Sequence, residues 1–306
     1  MHVLITGATG FIGTTLVQEL LAEGYKVTAY VRDLSTASAL LGPTVSLVTD
    51  LRTMGADTHV GAIINLAGAP IADRLWTSSY KDKCLNSRVD TTRELVRLVG
   101  RMAIKPSVMI SASAAGYYGD RKDDLLGEEE PPQNIFMSSL CADWEAAASG
   151  VTGYGVRLVI PRISIVLGQD GGAFPKLALP AKVGMGAILG SGEQYFPWIH
   201  KADLIRALMF ALKDNQVSGP INMAAPDMVM QRIFTERLAR VYGKKAFLKV
   251  PSFFLRLLPG GMEHLFLSGQ RMSAEKLETA GFVFQYPSLD DAFSDLSLYR
   301  HELHAQ

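Results

Sequence analysis

The chain has 306 residues, 48% hydrophobic and 20% charged, enough for one large domain or two closely packed lobes around a full core. Lys+Arg and Asp+Glu both number 30, and this balance removes the electrostatic reason to expect nucleic acid or an acidic membrane as partner. Cys84 and Cys141 make no CxxC pair, no basic leader precedes the first apolar run, and the stretch 156–167 is broken by Arg157, Pro161 and Arg162, so a soluble, cytoplasmic protein is expected.

Residues 3–6 are short, apolar and strand-like, and 11–23 follow with helical spacing. Strand character returns at 26–31, 45–48 and 62–67. Residues 80–102 read as a long amphipathic helix with Leu85, Val89, Leu95, Val96, Leu98 and Val99 on its apolar face. A strand over 108–111 and a helix over 136–148 continue the alternation. Repeated β-α units predict an α/β Rossmann fold, a doubly wound parallel sheet covered on both faces. After Gly168 the texture changes: Gly171, Gly172, Pro175, Pro180, Gly184 and Gly186 punctuate a less regular region, with helices expected at 201–212, 228–242 and 273–280. Residues 1–167 thus read as a dinucleotide-binding domain. Residues 168–306 read as a smaller, mostly helical C-terminal lobe interleaved with the last strands of the sheet.

The chemistry starts at the first turn. Thr6-Gly7-Ala8-Thr9-Gly10-Phe11-Ile12-Gly13 lies between a strand and a helix, and a second strand ends near Val31, giving a β-α-β unit of roughly thirty residues. Gly7 permits the tight turn, Gly10 lets backbone approach a diphosphate, and Gly13 lets helix pack on strand. Thr9, Phe11 and Ile12 complete the turn, where free N–H groups at the helix start suit phosphate. Past the second strand stand Arg32 and then Asp33. Arg accommodates a ribose 2′-phosphate and an acid the 2′-hydroxyl, so NADP(H) is favoured over NAD(H). Asp50 and Leu51 follow the third strand on the adenine side. Leu66, Ala67 and Gly68 end the fourth, on the ribose and nicotinamide side. Arg88, on the next helix, is either a phosphate ligand or an exposed structural arginine.

The motifs TGATGFIG at 6–13, NLAGAPIADRLW at 65–76, SASAAGYYGD at 111–120, LCADWE at 140–145, GSGEQYFPWIH at 190–200 and AGFVFQYPSLDDA at 280–292 run almost end to end. Through them the chain resembles the extended and atypical short-chain dehydrogenase/reductases, and more closely the "epimerase family" proteins often labelled nucleoside-diphosphate-sugar epimerases, with their additional C-terminal domain. That resemblance implies a Tyr-x-x-x-Lys pair on the helix after the fifth strand, its members four apart on one face. Matched to the family segment, the pair falls at Ile135 and Ser139, where neither chemistry survives. A literal Tyr-x-x-x-Lys occurs at Tyr118 and Lys122, in a stretch that reads as loop. Tyr117, Tyr118 and Ser113 are the candidate substitute acid and orienting groups, although strict register puts Ala114 at the family serine.

His200 reads as a packed structural histidine and Asp203 as the cap of the following helix. His301 and His304 read as solvated tail, so no metal site is expected. The expected partner is a small-molecule substrate, and a homodimer is plausible by analogy alone. The leading expectation is an NADP(H)-dependent oxidoreductase or epimerase-like enzyme on a small carbonyl, hydroxyl or sugar-nucleotide substrate. Loss of the dyad motivates the rival, a catalytically silent NADP(H)-binding sensor.

Overall fold

Short, mostly buried runs whose successive side chains enter opposite cores form the strands of the computed structural model, which describes residues 1–246 and 248–303. The strands are β1 (His2–Thr6), β2 (Lys26–Tyr30), β3 (Ser46–Val48), β4 (Ala62–Asn65), β5 (Val108–Ser111), β6 (Arg157–Ile163) and β7 (Gly219–Met223). They pair in parallel in the order β7-β6-β5-β4-β1-β2-β3, and a short strand at Ser113–Ala114 also pairs with β6.

The alternation decides which helix covers which face. Val3 and Ile5 of β1, Ala62 and Ile64 of β4, and Val108 and Ile110 of β5 share one core with Leu16 and Leu20 of α1 (Phe11–Ala22). That core also takes Ala37 and Leu41 of α2 (Leu34–Leu41). Leu4, Ile63 and Met109 point the other way, onto Leu95, Leu98 and Val99 of α3 (Ser78–Arg101). Cys84 of α3 and Cys141 of α4 (Phe136–Ser149) are both fully buried in a further apolar cluster. A sheet buried on both faces between helical layers is what its apolar strands require.

The C-terminal lobe builds its own core. Phe174 of α5 (Phe174–Lys182) and Phe234 of α7 (Gln231–Val241) pack with Trp198 and with Phe293 of a final helix over Leu289–Leu303. Between them the chain returns to the sheet through α6 (Lys201–Lys213), whose Leu204 and Leu208 join the α1 side, and then β7. Asp203 does not cap α6. Its buried carboxylate accepts the backbone N–H groups of Gln285 and Tyr286 at 2.8 Å each and so ties the tail to the sheet. The cap is His200, whose Nδ1 accepts from the Ala202 N–H at 3.2 Å. Burial holds the His200 imidazole below its usual range, against the opposing pull of Asp295 and Asp203. Among the described residues, no helix is long and apolar enough to cross a membrane.

Candidate functional site

Strand order reverses at β1, which has β2 on one side and β4 on the other. Connections therefore leave in opposite directions, and a crevice opens beyond the carboxyl ends of these strands, where ligands bind in doubly wound sheets. The 6–13 turn sits in it. Gly7 has φ +70°, and a Cβ there would come within 2.6 Å of the Leu66 carbonyl oxygen at the end of β4. A Cβ on Gly13 would lie 2.1 Å from the Gly7 carbonyl oxygen. Both positions are closed to any side chain. The Gly10 N–H donates to the Gly7 carbonyl at 3.0 Å, and α1 begins at Phe11 with no side-chain cap on its first N–H groups. Thr9 and Gly10 form the exposed lip, while Ile12 packs partly into the core.

Registered pairing brings the other sequence candidates to the same edge, because Thr6 aligns with Tyr30 and Asn65, and Tyr30 with Val48. Val31 is buried and Arg32 exposed at the end of β2. Asp33 is the N-cap of α2: its carboxylate accepts from the Thr36 N–H and the Ser35 hydroxyl, both at 2.8 Å, and these bonds lower its pKa, the Thr36 backbone bond most. Asp50 is likewise occupied, by the Arg52 side chain and N–H, and Leu51 beside it is buried. Leu66, Ala67 and Gly68 follow β4. The Arg88 guanidinium lies under this segment, so close that a Cβ on Gly68 would meet its Cζ at 2.7 Å. It donates to the Cys84 and Ala69 carbonyls at 3.0 and 3.1 Å, and burial lowers its pKa.

Beneath the crevice a buried polar chain fixes the strand ends. The Thr6 hydroxyl donates to Asn65 Oδ1 at 2.7 Å, and Asn65 Nδ2 donates to the Thr92 and Ser111 hydroxyls at 2.8 and 3.1 Å. Asn65 is thus satisfied on both ends of its amide, and β1, β4, β5 and α3 are locked together.

At the end of β5 the structure gathers Ser113, Tyr117 and Tyr118 around a charged hub that sequence reading missed. Arg162 of β6 is 2% exposed and grips Glu145 of α4 through Nε and Nη2, both at 3.0 Å. The Ser113 hydroxyl donates to Glu145 Oε1 at 2.5 Å. Arg162 Nη1 donates to the Tyr118 hydroxyl at 3.0 Å and to the Glu128 carbonyl at 2.8 Å, and Tyr118 donates to Asn222 Oδ1 at 2.6 Å. The Arg162 guanidinium also lies 3.5 Å from the Tyr117 ring centroid. Burial works against the charged arginine, but its bonds to Glu145 and that carboxylate's charge prevail and raise its pKa.

Tyr118 is fully buried, and its hydroxyl, pushed up to about 12 mainly by burial, is taken on both sides. It pins the hub and does not reach the cleft. Lys122 has φ 51° in a loop beyond Gly119, so it shares no helix face with Tyr118. Tyr117 is half-buried, and burial raises its pKa against the pull of Arg162.

The α4 register also needs correction. Ile135 precedes the helix as its N-cap and borders the cleft, whereas Ser139 faces solvent. The residues turned to the end of β5 are Met137, whose Cε a Cβ on Gly116 would meet at 2.9 Å, and Cys141, one turn on. Burial pushes the Cys141 thiol up to about 12, with the Glu145 charge adding to it. Beside them lies a cleft of about 240 Å³ lined mainly by apolar groups, among them Ile71, Ala114, Met137 and Ile163, with His264 and Gln270 from the C-terminal lobe. Nothing in the sequence tied those last residues, some 150 positions away, to this cleft. His304 lies outside the described residues, and among those described no group of three or more His, Cys, Asp or Glu could hold a metal ion.

Two family models match, the NAD dependent epimerase/dehydratase family over residues 3–224 and a domain of unknown function (DUF1731) over residues 250–296. Epimerase family protein SH2119 of Staphylococcus haemolyticus is 37% identical, over 96% of this chain and 98% of that one. Epimerase family protein YfhF of Bacillus subtilis is 34% identical, over 97% and 98%. The human epimerase family protein SDR39U1, solved with NADPH, superposes with a TM-score of 0.88 at 32% identity, covering 97% of this chain and 99% of that chain. A reversal-point crevice, a glycine turn closed to side chains and these matches along nearly the whole length agree: the chain belongs to the NAD dependent epimerase/dehydratase family, with a nucleotide-binding Rossmann fold and a DUF1731 domain at its C-terminal end.

Proposed function

We propose that the chain binds NADP(H) in the β1–β4 crevice and acts as an oxidoreductase or epimerase-like enzyme on a small carbonyl or hydroxyl compound held in the adjoining cleft. The charge layout after β2 carries this reading. Asp33 commits Oδ1 to the cap of α2 and to the Ser35 hydroxyl, which leaves Oδ2 as its one oxygen for a ribose diol. Arg32 is exposed and free to take a 2′-phosphate in its planar fork. The human relative solved with NADPH supports the same choice.

In this reading Gly7, Thr9, Gly10, Phe11, Ile12 and Gly13 surround the diphosphate, Val31 and Arg32 the 2′-phosphate, and Asp50 and Leu51 the adenine. Leu66, Ala67 and Gly68 flank the nicotinamide ribose, and Arg88 shapes that segment from below. The bound nicotinamide supplies the hydride chemistry. Tyr117 adjoins the cleft-lining run 114–116 without lining the cleft itself; in this reading it shares, backed by Arg162, the charge that develops on the substrate oxygen, and Ser113 acts through Glu145 to hold that wall in place. Among the described residues no lysine or arginine lines the cleft, which favours an uncharged compound over a sugar nucleotide.

One observation favours a second reading. The α4 face toward β5 presents Met137 and Cys141, neither suited to proton transfer at neutral pH, as expected of a protein that binds NADP(H) without turning substrate over. A panel of small carbonyls and sugar nucleotides, followed by reduced-nicotinamide absorbance, separates the two. Turnover that falls about a hundredfold in Tyr117→Phe supports the enzyme. Tight NADPH binding with no consumption across the panel supports the silent protein, and equal affinity for NADPH in Arg32→Ala refutes the cofactor assignment.

A further inference from the structure

A diphosphate brings two negative charges to the 6–13 turn, and that turn contains no charged side chain. Backbone N–H groups and the α1 dipole answer only part of this, since a helix start carries about half a unit of positive charge. Arg88 is committed to the Cys84 and Ala69 carbonyls. Among the described residues one other cation packs on the turn. Lys201 Nζ lies 4.5 Å from the ring centroid of Phe11, the first residue of α1. Its side chain is only 10% exposed, and its ammonium pairs with Asp170, which is 63% exposed.

The fold gives no reason for a lysine at this place. Residue 201 opens α6, where a cation meets the unfavourable end of the helix dipole, and an apolar side chain would fill the space at lower desolvation cost. The loop that brings Asp170 is built to sit on Phe11. A Cβ on Gly168, Gly171 or Gly172 would come within 2.8, 2.8 or 2.6 Å of the Phe11 ring, so all three positions admit only glycine while the ring is in place. An ion pair whose acid is this exposed is weak and readily exchanged.

We propose that Lys201 is the side-chain cation of the cofactor's diphosphate site, seated against Phe11 by the 168–172 loop, and that Asp170 is the counter-ion the diphosphate displaces. The inference rests on the nucleotide-binding reading above and adds a residue to it. It differs in consequence from Arg32, because Lys201 acts on the diphosphate common to NADPH and NADH, whereas Arg32 acts on the 2′-phosphate alone.

Titration calorimetry with NADPH, NADH and adenosine 2′-monophosphate, on wild type, Lys201→Met, Asp170→Asn and Arg32→Ala, tests this. Lys201→Met is expected to weaken NADPH and NADH by the same factor, about tenfold or more as for a lost charge-assisted hydrogen bond. It should leave adenosine 2′-monophosphate, which lacks the diphosphate, unchanged. Arg32→Ala should show the opposite pattern, losing the monophosphate and NADPH while sparing NADH. Asp170→Asn should tighten both dinucleotides a few-fold. Lys201→Met with wild-type affinity for both dinucleotides overturns the proposal. So does equal weakening of all three probes, the mark of a collapsed site. A wild-type chain that binds neither dinucleotide removes the nucleotide-binding reading itself, and this inference with it.

Discussion

The Arg162–Glu145 pair offers the most demanding test of how the cleft wall is held. Their side chains are 2% and 10% exposed, so neither charge is appreciably screened by water. In Arg162→Met the Glu145 carboxylate keeps only the Ser113 hydroxyl as donor and loses two bonds of 3.0 Å. The Tyr118 hydroxyl and the Glu128 carbonyl lose a donor as well. Leaving one buried charge without its partner costs about 3–5 kcal/mol, a large part of the roughly 5–15 kcal/mol that holds a domain folded. Glu145→Gln should cost a similar amount, since it strands the arginine instead. The double variant removes both charges together, so its loss should fall short of the sum of the singles by at least about 1 kcal/mol. Urea denaturation read by tryptophan fluorescence gives all three values from the shift in midpoint at constant slope. Single losses below about 1 kcal/mol, or strictly additive ones, would show that the pair is not the buried keystone its geometry implies.

Tyr118→Phe leaves Asn222 Oδ1 unpaired in the interior, so the urea midpoint should fall by an amount equivalent to about 1–3 kcal/mol while NADPH affinity holds; a change in affinity without a change in stability would return Tyr118 to the cleft. Gly13→Ala puts a Cβ 2.1 Å from the Gly7 carbonyl oxygen, and calorimetry should find NADPH binding abolished or the protein unfolded. His200 is held below its ordinary value of 6.5, so the unfolded chain takes up its proton first on acidification. The stability contributed by neutral His200 is present above pH 6.5 and lost as pH falls through the folded value. The urea midpoint should decline over that window, and less so in His200→Asn, which keeps a capping acceptor. Cys84 and Cys141 are both fully buried, so a thiol reagent should label neither in the native protein and both in denaturant.

The first half of the fold was legible because its signals are local. Strands β1, β2 and β4 are short, nearly continuous apolar runs, and Gly7 and Gly13 of the 6–13 turn stand where close backbone contact forbids a Cβ. Helix α2 is hard to see in the sequence because it has only 8 residues and its start signal, Asp33, stands beside Arg32, where an acid bears on the choice of cofactor as much as on a cap. Strand β6 was hidden by Arg157, Pro161 and Arg162, polar or ring residues that a strand pattern excludes. Arg162 is tolerated inside the sheet only because Glu145 and Tyr118 meet it there, and those partners come from elements far apart in sequence. Helix α5 contains Pro180, which usually marks a break.

Asp203 shows the same limit from the opposite side. An acid in the first turn of a helix is what a cap or a dipole partner looks like, and sequence alone offers no competitor for it. The structure uses its two oxygens on backbone N–H groups more than eighty residues away, at 285 and 286, while the cap falls to a histidine that seldom takes that place. The same long-range logic governs the candidate chemistry. Tyr117 and Ser113 read as reactive from their neighbours in the chain, yet what each can do is set by Arg162 and Glu145, which no spacing rule connects to them. A local motif can say where a nucleotide lies, because backbone supplies the contacts. Which hydroxyl meets a substrate depends on charges that only the folded chain brings together.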